Sequence, residues 1–445
     1  MRMYLVGGAV RDALLGKAVV DHDWVVVGAT PAQMLAAGFL PVGRDFPVFL
    51  HPTTREEYAL ARTERKVGKG YHGFVFHAEE SVTLEADLAR RDLTINAMAV
   101  PAEDVPEWEA DIRCDPERTV MQIIDPFDGR GDVQRKLLRH VGEAFREDPV
   151  RILRIARFAA ALPDFRIAPE TGNILAEMVR GGEADHLVAE RVWQELARGL
   201  MQPKPSRMLD VLHRCGALAI VLPELDRLWG VPQCPVAHPE GDVGTHVGMV
   251  LDDSATQGCS LEVRLACLLH DVGKGSTPVR ALPHHPGHEE RAKELIEAVS
   301  RRWKLPARCR ELALVVAREH GAIHRCRALD AGALVGLLAR IDAFRRPQRL
   351  EEVLQACACD ARGRQGHAAQ PYPQGEWLRN VYSAASAVDA RAIALQAQPQ
   401  GGEHVGTLLH QARVQAVEAW LHANAAAGAE DGVVQDIGRE GKETA

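Results

Sequence analysis

Apolar and polar positions alternate along this chain in two rhythms. Over the first hundred residues the apolar runs are short and rich in valine. MYLVGG, DWVVVG and EEYALART read as strands, since β-branched residues between glycine and charged residues suit a buried, pleated surface. AVRDALLG, between the first two, has helical spacing and ends at Gly16, a residue suited to the turn that closes a helix. KVGKGYHGF, rich in glycine and lysine, reads as a mobile loop. From about Asp148 the helical period takes over and persists through EDPVRILRIARFAAAL, NILAEMVRG, ERVWQELARGLM, PSRMLDVLHRCGAL, EVRLACLLHDVGKG and ERAKELIEAVSRRW. Strands are too few after residue 140 for a second sheet, so the pattern predicts an α/β head followed by a long all-helical body. Two segments break the rhythm. Pro101–Thr119 is acidic and proline-punctuated and reads as an insertion, and EDGVVQDIGREGKETA at the C-terminus lacks periodicity and reads as disordered.

Composition narrows the class of molecule. A chain of 445 residues exceeds the size at which a single core keeps growing, so two to four domains are expected. The net charge of −8 excludes binding of polyanions by the bulk field; such a partner must meet a local positive surface. Nine cysteines without a C-x-x-C pair point to reduced thiols. No secretory leader and no run of membrane-spanning length is apparent, and the expected location is the cytoplasm.

The candidate chemistry starts at VVDHDWVVVG. Asp21 and Asp23 stand two apart at the mouth of a valine strand, and side chains two apart on a strand share a face. Like charges that close repel unless a cation lies between them, so a divalent-metal site is one reading and a solvated strand entry the other. The neighbours decide. In LVGGAVRDALLG a strand ends in Gly7-Gly8 and runs straight into a helix, which presents free backbone N–H groups to an anion. Arg11, one turn in, adds a charged fork that suits phosphate oxygens. A phosphate cradle about a dozen residues before paired carboxylates describes a nucleotidyl-transfer site, with Mg²⁺ held by the carboxylates and the substrate phosphates.

GGAVRDALLGKAVVDHDW resembles the signature of the DNA-polymerase-β nucleotidyltransferase superfamily, and within it that of class II tRNA nucleotidyltransferases, the CCA-adding enzymes and bacterial poly(A) polymerases. ARRDLTINAMAV resembles the same family's second motif, which implies that Arg91 and Asp92 contact the triphosphate and ribose. DPFDGRGDVQRKLLRHV resembles the hinge between head and neck. The resemblance implies a palm-like sheet in the head, Asp21 and Asp23 as catalytic Mg²⁺ ligands, and Gly8 and Arg11 at the triphosphate. Glu57 is a candidate third carboxylate, with Glu56 and Glu64 competing. Relatives turn quickly from TINAM to the hinge, so the acidic Pro101–Thr119 segment is a departure; it is expected to project away from an RNA path.

EDPVRILRIAR carries Asp148, Arg151, Arg154 and Arg157 at steps of three, an i, i+3 ridge on one helix. Such a ridge is ordinarily a surface salt-bridge ladder. It can also read bases. Cytosine and adenine both offer an amine donor beside a ring-nitrogen acceptor, whereas guanine and uracil offer the reverse. A carboxylate accepts from the amine and a guanidinium donates to the ring nitrogen, so an Asp/Arg pair selects C and A without a nucleic-acid template. The resemblance assigns this template role to Asp148 and Arg151, places Arg154 and Arg157 at the nucleotide, and gives ERVWQELARGL a supporting role.

Further along, GTHVGMVLD and LACLLHDVGKG resemble the HD phosphohydrolase superfamily, which implies a metal held by His246, His270 and Asp271. Imidazole with carboxylate suits Ni²⁺, Mn²⁺ or Co²⁺ as well as Mg²⁺. His284, His285, His288, His320 and His324 lie nearby in sequence, and His320 and Asp360 are weaker candidates to complete the shell. The expected domains are a nucleotidyltransferase head (1–140), a helical neck (141–225), an HD body (226–365) and a helical tail (366–445). The expected function is addition of CCA to tRNA from CTP and ATP, with phosphatase, 2′,3′-cyclic phosphodiesterase or 2′-nucleotidase activity in the body. The expected partners are tRNA, ATP and CTP, with no membrane, in a monomer or weak homo-oligomer. The rival readings are a poly(A) polymerase, a CC-only or A-only enzyme, an HD phosphohydrolase with a silent head, and a non-catalytic tRNA binder.

Overall fold

The computed structural model describes residues 1–42, 48–66, 74–77, 80–112, 122–397 and 402–427. The head is built on a six-stranded mixed sheet, and its strand register assembles the sequence motifs. Strand β1 (Arg2–Val6) leads through Gly7 into helix α1 (Gly8–Leu14), which closes at Gly16 with φ +68°, as expected. Strand β2 (Asp23–Val27) runs antiparallel to β1 with Val6 opposite Asp23, so the glycine turn and the first residue of β2 lie side by side. Helix α2 (Pro31–Ala36) opens with a capping box from Thr30 and Gln33. Strands β3 (Leu40–Val42) and β4 (Val48–Leu50) follow, then β5 (Glu57–Leu60), and the sheet order is β3-β4-β5-β2-β1-β8, with β8 at Ala99–Pro101.

EEYALART is not one strand. It divides into β5 and β6 (Thr63–Lys66), and β6 pairs with β7 (Phe74–His77) in a separate antiparallel ribbon. The intervening KVGKGYHGF loop, beyond its terminal residues, lies outside the described residues, as does the C-terminal EDGVVQDIGREGKETA. The unbroken valine run of β2 is explained by burial on both faces. Val25 and Val27 join Tyr4 and Val6 in one cluster, while Val26 joins Met34, Phe49 and Tyr58 in another. Helix α3 (Leu84–Ala89) covers the first face with Leu84 and Leu88.

The acidic segment is anchored over the part described. Helix α4 (Val105–Asp111) inserts the fully buried Trp108 among Leu5, Val10 and Met98. Helix α5 (Gly129–Arg135) and strand β9 (Leu137–Leu138) then lead to the neck.

The neck begins with helix α6 (Val150–Ala161), followed by strand β10 (Arg166–Ile167), α7 (Pro169–Arg180), α8 (Ala189–Leu200), α9 (Ser206–Arg214), α10 (Leu218–Val221) and α11 (Pro223–Asp226). The absence of sheet after residue 140 fails in one detail: β10 pairs in parallel with β9 over two residues each, a pairing too short to leave a sequence period. The body comprises α12 (Val243–Thr256), α13 (Leu261–Leu269), α14 (His288–Trp303), α15 (Ala307–His324), α16 (Ala331–Arg340) and α17 (Pro347–Arg362), and the tail α18 (Pro373–Ser386), α19 (Ala390–Ala397) and α20 (Gly402–Ala427). One hydrophobic cluster runs from Leu93 and Ile95 in the head through neck and body to Val417 in the tail. No described helix is long and apolar enough to cross a membrane.

Candidate active sites of the head and body

A cleft of about 490 Å³ lies between head and neck, and nine residues singled out by sequence line it: Gly8, Arg11, Asp23, Arg91, Asp92, Asp148, Arg151, Arg154 and Arg157. Eight arginines face three aspartates there, so the cleft is a local cationic surface in a chain of net charge −8. Strand β2 starts at Asp23, so the same-face expectation holds for Asp23 alone. Asp21 is exposed in the irregular approach to the strand and does not line the cleft. His22, between the two acids, is held by carboxylates elsewhere: Nε2 lies 2.7 Å from Glu109 and Nδ1 3.3 Å from Glu56. Glu56 also accepts from the Trp24 indole at 3.3 Å. Glu57, by contrast, sits directly opposite Asp23 in the parallel β2–β5 register and is exposed, which places it beside Asp23. The Glu64 side chain lies outside those described.

The anion wall is fastened from below. Gly7 has φ +73°, the left-handed region that glycine adopts without strain, and a Cβ there would crowd the Arg91 guanidinium at 3.0 Å. Arg11 donates to Asn96 at 2.6 Å and to both Asp12 oxygens at 2.9 Å. Arg90 and Arg91 share the buried Asp87. Asp92 is buried, and burial alone would raise its pKa. Donation from Arg154 (2.8 Å) and Asn96 (3.1 Å), with Arg151 nearby, reverses this and holds it down to about 2.

The ridge expected on one helix differs in two ways. Asp148 is not helical: it has an extended backbone (φ −113°, ψ 109°), and α6 starts at Val150, whose N–H donates to the Asp148 carboxylate at 3.0 Å. The members of the ridge also reach residues beyond it. Arg151 donates to the Ala144 carbonyl (2.8 Å) and to the Arg90 carbonyl (2.7 Å), so it ties neck to head. Arg154 reaches Asp92 in the head, and Arg157 reaches Glu195 on α8 at 2.6 Å. Asp148 itself accepts a two-pronged contact from Arg191 on α8, at 3.1 and 2.7 Å. ERVWQELARGL therefore supports the Asp148–Arg157 segment electrostatically, through Arg191 and Glu195 on one face of α8. Arg62, Arg90, Asn96, Phe158 and Arg191 also line the cleft and were not singled out as site residues. The signals for Arg90, Asn96 and Arg191 were the RRDLTINAM and ERVWQEL motifs themselves.

In the body, α12, α13 and α17 bring His246, His270, Asp271 and Asp360 together, all buried. His246 Nε2 lies 3.1 Å from Asp360 and 3.9 Å from Asp271 Oδ2; His270 Nε2 lies 3.2 Å from Asp271 Oδ2 and 3.8 Å from Asp360. The His270 Nδ1–H donates to the Cys267 carbonyl at 2.8 Å, which turns Nε2 towards Asp271 and Asp360. His246 Nδ1 lies 2.9 Å from Glu240 and so likewise directs Nε2 inward. Burial pushes the His270 pKa down, but Asp271 and Asp360 outweigh it and raise it to about 9. The two carboxylates call for positive charge between the rings. Nitrogen and oxygen donors converging on buried carboxylates fit a divalent transition metal. His320 reaches the other oxygen of Asp271, at 3.7 Å. His324 spans Asp360 (2.7 Å) and the Tyr372 hydroxyl (3.0 Å). His285 bonds Thr277 and the Pro232 carbonyl, and His284 is exposed.

Comparison with known proteins agrees with this layout. The family profile of the poly A polymerase head domain matches residues 3–139, that described as the probable RNA and SrmB-binding site of polymerase A matches 164–228, and that of the HD domain matches 243–361. Among solved structures, the Bacillus stearothermophilus CCA-adding enzyme in complex with CTP aligns with a TM-score of 0.62 at 24% identity, over 97% of this chain and 95% of its own. A CCA-adding enzyme in complex with ATP aligns at 0.56, with 21% identity, over 100% and 92%. The multifunctional CCA protein of Acidovorax ebreus is 60% identical over 96% of this chain and 97% of its own length, and that of Variovorax paradoxus 61% over 94% and 99%. Three profiles in the order head, neck and body, with such identity from end to end, show that this chain belongs to the multifunctional CCA protein family.

Proposed function

We propose that this protein adds and repairs the 3′-terminal CCA of tRNA, using CTP and ATP, at the cleft between head and neck. The observation that carries this is the convergence of Asp23, eight arginines and Asp148 on one cationic cleft. Its near-full-length relatives named multifunctional CCA proteins support the same reading. Asp23 and Glu57, opposite one another in the β2–β5 register, with Asp21 in the approach to β2, offer the oxygens that would hold Mg²⁺. When bound, that ion would neutralise phosphate charge and favour deprotonation of the tRNA 3′-hydroxyl.

The remaining work falls to the chain. Gly8 lets the triphosphate approach the backbone, and Arg11 and Arg91 match its charge. Asp92, held ionised by Arg154 and Asn96, can accept from the ribose hydroxyls. Asp148 accepts from the exocyclic amine of C or A, and Arg151 donates to the ring nitrogen; G and U would set donor against donor and acceptor against carboxylate. Arg154 and Arg157 line the nucleotide's flank. The test is incubation of the purified protein with tRNA lacking CCA, CTP and ATP. The expected product carries CCA and stops; an indefinite A tail, or a halt after CC, would overturn the reading.

The body is read as a metal-dependent phosphohydrolase, with His246, His270, Asp271 and Asp360 as the donor set and a phosphomonoester or 2′,3′-cyclic phosphate as substrate. The convergence of buried His246, His270 and Asp360 on one point, with Asp271 beside His270, favours it. His270→Ala should abolish hydrolysis of 2′,3′-cyclic AMP and 2′-AMP while CCA addition continues. Hydrolysis unchanged in that variant would exclude it.

A further inference from the structure

The face of β2 turned away from the cleft carries contacts that the nucleotidyl-transfer reading does not use. Side chains alternate along a strand, so Asp23 and Trp24 point to opposite faces of the sheet. Asp23 shares its face with Glu57, its partner in the β2–β5 register. Trp24 shares the other with Tyr58, and the two rings stack with centroids 5.4 Å apart and planes 6° from parallel. His22 extends that stack by one ring, 6.3 Å from Trp24 and 18° from parallel. The alternation thus continues outward to His22, which separates the two aspartates.

Residues 17–22 belong to no helix or strand, and β2 begins only at Asp23. Side chains must therefore hold the approach that carries Asp21, and the His22 ring is tied on both edges. Its Nε2 lies 2.7 Å from Glu109, and a carboxylate only accepts, so the ring N–H donates to it. Its Nδ1 lies 3.3 Å from Glu56, which also accepts from the Trp24 indole at 3.3 Å and from the Thr54 hydroxyl at 3.0 Å.

Glu109 is itself firmly placed. It follows Trp108 on α4, and Trp108 is fully buried among Leu5, Val10 and Met98, with Val19 and Trp24 at the edge of the same cluster. A close-packed indole fixes the rotation of α4, and with it the carboxylate one residue further on. The acidic segment, read from sequence as an insertion, thus reaches the residue between Asp21 and Asp23.

We propose that Glu109 is a positioning residue for nucleotidyl transfer. It holds His22 on the outer face of the sheet, so that the backbone beside it keeps Asp23 towards the cleft and Asp21 at its approach. This rests on the reading of the head as the CCA-adding site. It gives the acidic segment a part in the reaction without contact to nucleotide, tRNA or the reacting atoms.

The test uses full-length protein and tRNA lacking CCA. Glu109→Ala should raise hydrogen–deuterium exchange in residues 17–22 and leave that of α1 unchanged. It should lower kcat for CTP about tenfold and raise the Mg²⁺ concentration giving half-maximal rate, while KM for CTP stays within about twofold. A smaller folded fraction would not move the Mg²⁺ requirement. Glu109→Gln should restore exchange, rate and Mg²⁺ requirement, because its amide oxygen still accepts from Nε2. His22→Phe keeps the stacked ring without the N–H, and adding Glu109→Ala to it should cost nothing further. Exchange and Mg²⁺ requirement unchanged in Glu109→Ala would overturn the proposal and leave the CCA-adding reading standing. So would a defect in Glu109→Gln equal to that of alanine, or losses that multiply in the double variant. No CCA addition by the parent protein would overturn both.

Discussion

At the scale of single residues, Arg191 is the most consequential side chain that sequence reasoning passed over. Its two-pronged contact with Asp148 sets the direction of the carboxylate proposed to choose the base. Arg191→Ala should lower kcat/KM for CTP and ATP by about tenfold to a hundredfold, about 1.4 to 2.7 kcal/mol of lost orientation, and raise UMP misincorporation. Lysine should not restore it, since a single ammonium cannot reproduce the fork. Steady-state kinetics with all four nucleotides would measure both effects. Asp92 gives a pH prediction with a defined sign. Its folded pKa of about 2 lies below the unfolded value of 3.8, so its contribution is present above about pH 4 and lost as pH falls towards 2. Urea unfolding across that range should fall more steeply for wild type than for Asp92→Asn. At pH 7 the variant should be less stable by about 2 kcal/mol, since Arg154 keeps its charge without its partner. None of these pairings was legible beforehand, since Asp148 and Arg191 are 43 positions apart and Arg154 and Asp92 are 62. The sequence supplied the chemistry of each residue; only the packing of α6 and α8 could say which residue met which.

At the scale of elements, legibility followed length and period. The long amphipathic helices of neck and body stand where their spacing put them, and β1 and β2 were readable from their valine runs. Strands β3 and β4, three residues each, are too short to establish an alternation, and β3 contains a proline. The ridge of Asp148 to Arg157 was misassigned at its first member because Pro149 opens the helix and leaves Asp148 extended before it. The acidic segment read as an insertion, and composition concealed that Trp108 is its anchor. Trp108→Ala should cost about 3–5 kcal/mol by leaving a large cavity under β1, seen as a lower thermal midpoint with the body's hydrolytic activity at 25 °C unchanged. A Cβ at Gly273 would overlap the His288 carbonyl, so Gly273→Ala should push the start of α14 away from Asp271. Hydrolysis should be lost while CCA addition stays within about twofold of wild type, and the two assays run on one preparation would show it.

At the scale of the whole molecule, head, neck and body are not independent beads. Buried Arg264 on α13 donates to the Leu200 carbonyl at the end of α8 (2.7 Å) and to the Cys259 carbonyl (2.9 Å), and the Trp303 indole of α14 donates to the Val221 carbonyl in the neck (2.7 Å). Arg264→Ala would leave buried carbonyls without donors, at about 1–3 kcal/mol. The heat-inactivation midpoints of CCA addition and of phosphate hydrolysis should then fall together; a fall in only one would show that the regions melt separately. The single apolar cluster from Leu93 to Val417 has a consequence for inheritance. A body residue remote from the head–neck cleft and from the histidine cluster is still filtered by the need for tRNA ends, because weakening it weakens the neck that carries Asp148 and Arg191. The body could thus be retained over generations in a lineage with no use for its own chemistry, and its persistence alone would not reveal what that chemistry is.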